Sequence, residues 1–451
     1  MKQNISEYLF ANLRKLKQER FLVTILIIIL IVLIICRIFA ATLIDTFFID
    51  ETTRGGLVEA ILNPNIKIET EHFNYLFIKT DADASTFGFF IPATIWAFFF
   101  SNSILSLRIF ACLITISACL LLGRAISYYF DKSRLVWLSA SVISLMLPWN
   151  FLQGMLFWDA TFAPFYIIIG LSAFSYIYNF ISRLNLKRPS HLLVFIALPL
   201  SLVLAATTYR PIIFLSVGLY IWFLAYLTRR QIYSVRQTIT TLIMSIFFAA
   251  PAIISILIWP IATERSKEIS VTAIDDFPTQ VKIVLSNFRK LISPDFLFAS
   301  GDLNRRHATG VAGMVGLGAI IPILSTVFFT IKKSLSKPEI FLAVLSIFGI
   351  FLSLLGSALT VESPPHGLRA NCAWIFFVIL IFVGFYQLYK HRRHWLAKIT
   401  LSLAIIVLSL VFIYYLRHFF LYYLPMSSEF FSTPESNINK LFFVKVYLLF
   451  R

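Results

Sequence analysis

Charged residues are scarce in this chain of 451 residues. Asp, Glu, Lys and Arg together make up 14% of it, whereas soluble domains contain roughly 25%. Hydrophobic residues make up 59%, and this balance excludes an ordinary soluble domain. Apolar runs recur from end to end, and each is long enough to cross a hydrocarbon core of ~30 Å as a helix. The alternating apolar and polar segments of a membrane β-barrel are missing.

Acidic residues and cysteines are also few. The 22 acidic residues stand against 39 basic ones, which gives a net charge of +17. The basic residues form short clusters between apolar runs, so they indicate cytoplasmic loops and contact with anionic lipid, and no nucleic-acid partner is expected. Only four cysteines occur, all inside apolar segments and without metal-ligand spacing, so we expect packing residues and no disulfide framework. They are Cys36, Cys112, Cys119 and Cys372.

These patterns predict an all-α fold, a polytopic transmembrane helix bundle of about eleven spans. The predicted spans are 21–42, 104–123, 135–152, 160–180, 191–208, 211–228, 238–259, 313–331, 339–360, 371–389 and 399–416. A twelfth apolar stretch, 86–100, is too short to span comfortably. If it crossed, five basic clusters would move outside while the basic N-terminus stayed inside. We therefore expect 86–100 to form a re-entrant or interfacial helix.

This topology divides the chain into three parts. Residues 1–20 form a basic, amphipathic cytoplasmic segment, 21–416 the transmembrane domain, and 417–451 a short extracytoplasmic tail. The main outer loops are 45–103 and 261–312. Residues 21–44 lack a small-residue cleavage site and so predict a retained signal anchor. The expected location is the plasma (inner) membrane, with the N-terminus in the cytoplasm.

Acidic residues occur near the ends of two predicted spans, on the predicted outer side. Asp50 and Glu51 follow the first span, and Asp159 opens the fourth. Ionisable groups at that depth are costly and usually face a partner, a cavity or water. Carboxylates that meet at one face suit a general base or a cation ligand. Alternatively, Asp50 and Glu51 cap a helix start, and Asp159 is the N-cap of its span.

Cations accompany these acids on the same side. Arg210 lies in a very short turn between two spans, where it can bind a lipid phosphate bidentately or extend to the headgroups. His366 and Arg369 lie in the short Pro-bounded loop 361–370 and could hold a phosphate or a metal-bound phosphate. Further phosphate-binding candidates occur at or near the end of the 261–312 loop: Lys290, Arg305 and Arg306.

Taken in order, these patches resemble the GT-C membrane glycosyltransferases, in particular the branch with the protein O-mannosyltransferases and the lipid A aminoarabinose transferases. The resemblance covers nearly the whole membrane portion. The residues that carry it are Asp50-Glu51, Ser106-Leu107-Arg108, Pro148 with Phe157-Trp158-Asp159, Tyr209-Arg210-Pro211, Leu297 to Asp302, and Pro365 to Ala370.

The resemblance implies a GT-C-like fold and a polyprenyl- or dolichyl-phosphate sugar as donor. It also implies that Asp50 corresponds to the catalytic acid of the first loop and Asp159 to the second acidic position. In this hypothesis Asp50 is the general base, and Glu51 or Asp159 tunes it or binds a divalent ion. Arg210, His366 and Arg369 hold the lipid phosphate. The acceptor is a glycan, a lipid or a protein, and the transfer inverts the anomeric centre.

Two other classes stay open. A transporter or flippase for a lipid-linked or anionic solute predicts polar groups along a path through the middle of the membrane. A non-catalytic scaffold predicts tolerance to joint substitution of Asp50 and Asp159. A divalent metal ion, with Glu51, Asp159 and His366 as candidate ligands, is the one cofactor the pattern suggests.

Overall fold

A computed structural model describes residues 2–44, 51, 58, 62, 73–74, 77–79, 84–130, 133–258, 269–362 and 364–430. Nearly all of these residues are helical or lie in the turns between helices. Three short antiparallel strands, Phe73–Asn74 (β1), Phe77–Lys79 (β2) and Ala84–Thr86 (β3), precede the second helix. The predicted helical bundle is confirmed.

The helices are named here in chain order. They are α1 (Lys2–Leu43), α2 (Phe87–Phe99), α3 (Ile104–Ser127), α4 (Arg134–Met146), α5 (Pro148–Gln153), α6 (Asp159–Phe180), α7 (Pro189–Thr208), α8 (Ile213–Arg229), α9 (Val235–Ile258), α10 (Phe277–Leu291), α11 (Ile320–Ile331), α12 (Lys337–Ala358), α13 (Ala373–Lys390), α14 (Trp395–His418) and α15 (Leu424–Phe430).

Eight helical segments within the described residues are long and apolar enough to cross a membrane, so the chain is a multi-pass membrane protein. They are Glu19–Leu43, Ile104–Ser127, Asp159–Phe180, Pro189–Thr208, Arg210–Arg229, Lys337–Ala358, Ala373–Lys390 and Trp395–Ser427. Each coincides with a predicted span. The other predicted spans are 135–152, 238–259 and 313–331. Of these, 238–259 corresponds to α9, which has 24 residues.

The predicted span 135–152 is not one continuous helix. It is divided into α4 and α5 at Leu147, whose backbone is extended (φ −69°, ψ 126°). Pro148, the first residue of α5, causes the break because proline disfavours the helical conformation in the residue before it and has no N–H to donate.

The predicted span 313–331 begins later than expected. Gly313 and Gly316 have φ values of 62° and 88°, a left-handed backbone that a continuing α-helix does not contain. A 3₁₀ turn, Leu317–Ala319, follows, and α11 then has only 12 residues. The glycines therefore convert the first part of the predicted span into a loop.

Helix α2 lies within the stretch 86–100 and has 13 residues. At 1.5 Å per residue it is about 20 Å long, which is less than a hydrocarbon core of ~30 Å. One face, with Phe89, Ala93 and Ala97, is buried. The opposite face exposes Ile91 and Ile95. A short helix with an exposed apolar face fits the predicted re-entrant or interfacial segment.

The loops gather at two ends of the bundle. At the end that we call the basic end (181–188, 229–235, 332–339 and 390–394), Leu184 N–H donates to the Ile232 carbonyl over 3.0 Å. Lys390 Nζ lies 3.5 Å from Glu339 Oε1 there. The other end, the site end, contains residues 147–159, 208–213, 287–316 and 357–371. The loops that were predicted to share a side thus contact one another.

Both predicted boundaries of the transmembrane domain fall inside helices. Helix α1 runs without a break from Lys2 to Leu43, so the segment 1–20 continues directly into the first span. At the other end, α14 is extended by a π-helical turn, Phe419–Tyr423, and by α15. The predicted tail boundary at 417 thus lies within a continuous helical stretch, and residues 431–451 lie outside the described residues.

Candidate functional site

Asp159 is the first residue of α6, at the site end. Trp158 before it is extended (φ −140°, ψ 161°) and occupies the N-cap position, so the N-cap alternative for Asp159 is wrong. Asp159 Oδ1 accepts a hydrogen bond from Ala160 N–H over 2.9 Å, and the residue is half-buried. A carboxylate in the first turn is stabilised by the positive end of the helix dipole.

Glu51 joins the first outer loop to the segment that precedes Asp159. Its Oε1 accepts from Phe157 N–H over 2.8 Å and from Arg108 Nε over 2.9 Å, and its Oε2 pairs with the other side of the same guanidinium. Glu51 is fully buried. Asp50 lies outside the described residues. Both oxygens of Glu51 are thus occupied by a buried ion pair with Arg108.

Two further loops meet the same segment. Gln153 Nε2 donates to the His307 carbonyl over 3.3 Å, and Trp149 Nε1 donates to the Gly367 carbonyl over 3.1 Å. Asn371 Nδ2 donates to the Ala160 carbonyl over 2.8 Å. Residues 149–160 are therefore the point where the first outer loop, the loop 300–316 and the loop 361–371 converge.

A cluster of the buried Asp302 and His307 with the half-buried His366 lies at this convergence. Asp302 Oδ2 is 2.8 Å from His307 Nδ1 and accepts from Gly367 N–H over 2.6 Å. The rings of His307 and His366 are 4.4 Å apart between centroids. One ligand atom from each of the three residues lies within 4.8 Å of the others. Two separate loops thus bring three potential metal ligands together.

The imidazole of His366 is largely shielded from solvent and lies near His307 and Arg369. Its backbone N–H donates to Ser357 Oγ over 3.2 Å, and its Nδ1 is buried without a hydrogen-bond partner among the described residues. Burial, followed by the neighbouring His307 and Arg369, lowers the pKa of His366 from 6.5 to about 2. The imidazole is therefore neutral at physiological pH and does not add a positive charge for phosphate binding.

Arg369 already has a partner within its own loop. Its guanidinium forms an ion pair with Glu362 and donates to the Glu362 carbonyl over 3.2 Å. Arg369 is buried, whereas Glu362 is about half exposed. A phosphate at this arginine would share it with Glu362 or replace that carboxylate.

The turn that contains Arg210 and the loop that contains His366 both contact the last residues of α12. It opens the 3₁₀ turn Arg210–Ile212, and the following Pro211 packs so tightly on Gly356 that a Cβ there would lie 2.0 Å from the Pro211 carbonyl oxygen. Ser357, the next residue, holds the backbone of His366. The structure therefore places the turn that carries Arg210 beside the loop that carries His366.

The three cations of the long outer loop are less central. Lys290 is exposed at the end of α10, and no contact among the described residues joins its side chain to Asp159 or His366. Arg305 donates to the Thr309 carbonyl over 2.7 Å and so closes its own loop. Arg306 is half-buried, and its backbone N–H donates to Asn304 Oδ1.

A small cavity lies beneath the convergence point. It is lined by polar and small residues from α3, α5, α6 and the start of α13, among them Thr115, Asn150, Thr161 and Asn371. Arg37 is completely buried beside it. Among the described residues, its guanidinium donates over 3.5 Å to Asn150 Oδ1 and to the Leu145 carbonyl, and it lies over the Phe151 ring.

Sequence reasoning missed several parts of this site. It assigned no role to Asp302 or His307, because their partner His366 is about sixty residues further along the chain. It also missed α10, although Asp276-Phe277-Pro278 is a recognisable helix start in which Asp276 Oδ2 accepts from Thr279 N–H over 2.9 Å. That motif is the sequence signal from which α10 could have been predicted.

A scan against protein-family models and a search of curated proteins found no match for this chain.

Proposed function

We propose that this protein is a membrane glycosyltransferase that moves a sugar from a polyprenyl-phosphate carrier to an extracytoplasmic acceptor. The observation that supports this proposal most is the hydrogen bond from Phe157 N–H to Glu51. Glu51 is the sequence neighbour of Asp50, and Phe157 lies two residues before Asp159. Asp50 and Asp159, the two acids on which the resemblance to GT-C enzymes depends, are thus one and two residues along the chain from Glu51 and Phe157, which contact each other.

The proposed reaction is a single displacement. The acceptor hydroxyl oxygen attacks the anomeric carbon, the bond from that carbon to the phosphate oxygen breaks, and its electron pair leaves with the phosphate. The hydroxyl proton passes to a carboxylate, for which we propose Asp50 with Asp159 as its partner. Inversion at the anomeric carbon follows. Glu51 is assigned a positioning role because Arg108 and Phe157 occupy its oxygens.

The leaving phosphate gains negative charge during this step and needs cations that are already in place. Arg210 and Arg369 are the proposed phosphate ligands, since their loops meet at the end of α12. His366 would contribute as a neutral donor or as a metal ligand. Lys290, Arg305 and Arg306 lie further out and would attract the anionic donor to the membrane surface.

The distribution of basic residues assigns the basic end to the cytoplasm, which makes the site end extracytoplasmic. Eleven crossings in the plasma (inner) membrane are part of the same proposal. A carrier lipid with its phosphate at the outer surface would then reach Arg210 and Arg369 from the bilayer.

The alternative, a transporter or flippase, requires a polar path through the bundle. Among the described residues, the buried Glu51, Arg108, Asp302 and His307 belong to the site end, and Glu339 belongs to the basic end. Arg37 lies less than two helical turns before Leu43, the last residue of α1, so it too is close to the end of a helix and not at its middle. A concentration of ionisable groups at one end favours chemistry at a membrane surface over passage through the membrane.

The direct test is sugar transfer by the purified full-length protein in lipid nanodiscs, with a panel of radiolabelled polyprenyl-phosphate sugars. We expect Asp159→Asn and Asp50→Asn each to lower the transfer rate about 100-fold or more, the scale of general acid–base catalysis. Asp275→Asn, at an exposed aspartate of the long outer loop, is the matched control and should keep the full rate.

Undiminished transfer by Asp159→Asn would remove that residue from the proposed mechanism. If no donor of the panel reacts, but liposomes that contain the protein move a labelled lipid-linked sugar between leaflets, the transporter alternative replaces this proposal.

A further inference from the structure

We infer that Asp302, His307 and His366 form a binding site for a transition-metal ion, with Zn²⁺ the best match. This site differs from the metal position expected from the sequence, which grouped His366 with Glu51 and Asp159. Glu51 is committed to Arg108, whereas two loops bring Asp302 and His307 to His366. The inference does not depend on glycosyl transfer.

The spacing of the three residues suits a shared ion. Two ligand atoms that are each about 2.1 Å from one tetrahedral ion lie about 3.4 Å apart. Asp302 Oδ2 and His307 Nδ1 are 2.8 Å apart, and all three ligand atoms lie within 4.8 Å of one another. Small side-chain rotations would bring all three to bonding distance.

His366 provides a second, independent observation. Its Nδ1 is buried and has no hydrogen-bond partner among the described residues. A buried polar atom that remains unpaired is destabilising. The ring centroids of His307 and His366 are 4.4 Å apart, so one metal ion at the nitrogen-bearing edges of both rings would satisfy this nitrogen.

The surroundings of the cluster hold the ligands in place. Asp302 Oδ1 accepts from Asn304 N–H over 2.8 Å, and its Oδ2 accepts from Gly367 N–H. Such second hydrogen bonds orient ligands and raise metal affinity. Arg369, three residues after His366, is paired with Glu362, and the negative charge of Glu362 offsets the repulsion between Arg369 and a bound cation.

The donor set determines which ion fits. Two imidazoles and one carboxylate suit Zn²⁺ and other late first-row metals, whereas Mg²⁺ and Ca²⁺ prefer oxygen ligands alone. Three protein ligands leave a fourth position for water or an anionic ligand. Trp158, whose ring centroid is 6.3 Å from that of His307, immediately precedes Asp159, so the cluster lies close to the segment that carries Asp159.

The test is metal binding by the full chain, purified in detergent with an affinity tag that contains no histidine. After treatment with EDTA and addition of Zn²⁺, elemental analysis should find about one zinc per chain. His307→Ala and His366→Ala should each weaken Zn²⁺ binding at least tenfold in titration calorimetry. The control is His391→Ala, a half-buried histidine at the basic end that stacks on Phe329, and it should bind like the wild type.

Absence of stoichiometric Zn²⁺ from the wild type, or equal binding by the two variants and the wild type, would overturn the inference. If the variants fail to fold, the Co²⁺ spectrum of the wild type decides. A tetrahedral site with nitrogen and oxygen ligands gives intense visible bands, and their absence would count against the site. No arm of this experiment measures sugar transfer, so its failure is distinct from failure of the proposed function.

Discussion

Glu51 and Arg108 form a charge pair from which water is almost fully excluded. Their side chains are 0% and 2% exposed, and Arg108 also donates to the Ile44 carbonyl. A buried pair of this kind need not stabilise the fold more than an apolar pair would. Removal of one member, however, leaves an uncompensated buried charge. The pair therefore fixes where the first outer loop meets α3 and the segment before Asp159.

This leads to a prediction for single and double variants. Arg108→Met should lower the free energy of unfolding by about 3–5 kcal/mol, because it leaves the Glu51 carboxylate alone in the interior. The double variant Glu51→Leu/Arg108→Met should recover a large part of that loss. Thermal unfolding followed by fluorescence-detected size exclusion measures both.

Leu105→Met, on an exposed position of the same helix, is the control and should change stability little. A double variant as unstable as the sum of the two single variants would show that the two side chains are energetically independent, contrary to their contact in the structure.

Single site residues could be predicted where a charged side chain lies close to an apolar span, because burying that charge in the membrane is energetically costly. Arg108 and Glu51 stand out because charges near an apolar span require partners, although the sequence did not pair them. Asp302 and His307 lie in a polar loop, where a carboxylate and an imidazole carry no unusual desolvation penalty. Their position in the sequence therefore did not mark them as site residues. Only the folded chain shows that Gly367 and His366 enclose them.

At the scale of elements, α2 is the segment on which the topology depends. If it crossed the membrane, every later loop would change sides. Its length of about 20 Å and its buried face of Phe89, Ala93 and Ala97 argue for a helix that lies against the bundle. Trp96 Nε1, which donates to Ser106 Oγ over 3.0 Å, ties it to the start of α3.

We predict that both flanks of α2 face the same side of the membrane. In a variant without native cysteines, Thr86→Cys and Asn102→Cys should both react with a membrane-impermeant maleimide applied to intact cells. The reason is that a crossing by α2 would move five basic clusters to the outside while the basic N-terminus stays inside. Mass shifts on gels report the labelling.

Lysis before labelling gives the maximum signal for each site and serves as the control. If one of the two cysteines reacts only after lysis, α2 crosses the membrane, and the sides assigned to all later loops must be exchanged.

The ends of several helices are set by individual proline and glycine residues and not by the limits of the apolar runs. Pro148 divides the predicted span 135–152, and the left-handed Gly313 and Gly316 shorten the span 313–331. Both signals are present in the sequence, but a hydropathy window averages over them. Helix α10 escaped notice for the opposite reason, since an amphipathic surface helix has too few apolar residues to stand out among spans.

On the scale of the whole molecule, the helical bundle was predictable because the bilayer allows few alternatives for a chain of this composition. The grouping of loops into two ends was predictable from basic clusters alone. The convergence of loops 300–316 and 361–371 on residues 149–160 was not, because it depends on hydrogen bonds between residues up to 218 positions apart, such as Trp149 and Gly367.

The two ends of the bundle provide the last prediction. Leu303 is 79% exposed at the site end, and Arg393 is exposed at the basic end. The chain between them contains three predicted spans, which correspond to α11, α12 and α13. Of these helices, α11 is too short to qualify as a membrane span by its length alone. Its far end nevertheless reaches the basic end, where Phe329 stacks on His391 at 4.8 Å between ring centroids. We therefore expect an odd number of crossings between the two positions.

In the cysteine-free background, Leu303→Cys should react with the impermeant maleimide in intact cells, and Arg393→Cys should react only after lysis. The physical reason is that Lys and Arg clusters remain on the cytoplasmic side during insertion, and the proposed topology assigns Lys390, Arg392 and Arg393 to that side. Labelling of both sites from outside would mean that α11 does not cross. Exposure of Arg393→Cys alone would place the site end in the cytoplasm, where an outward-facing carrier phosphate could not reach Asp159 and Arg210.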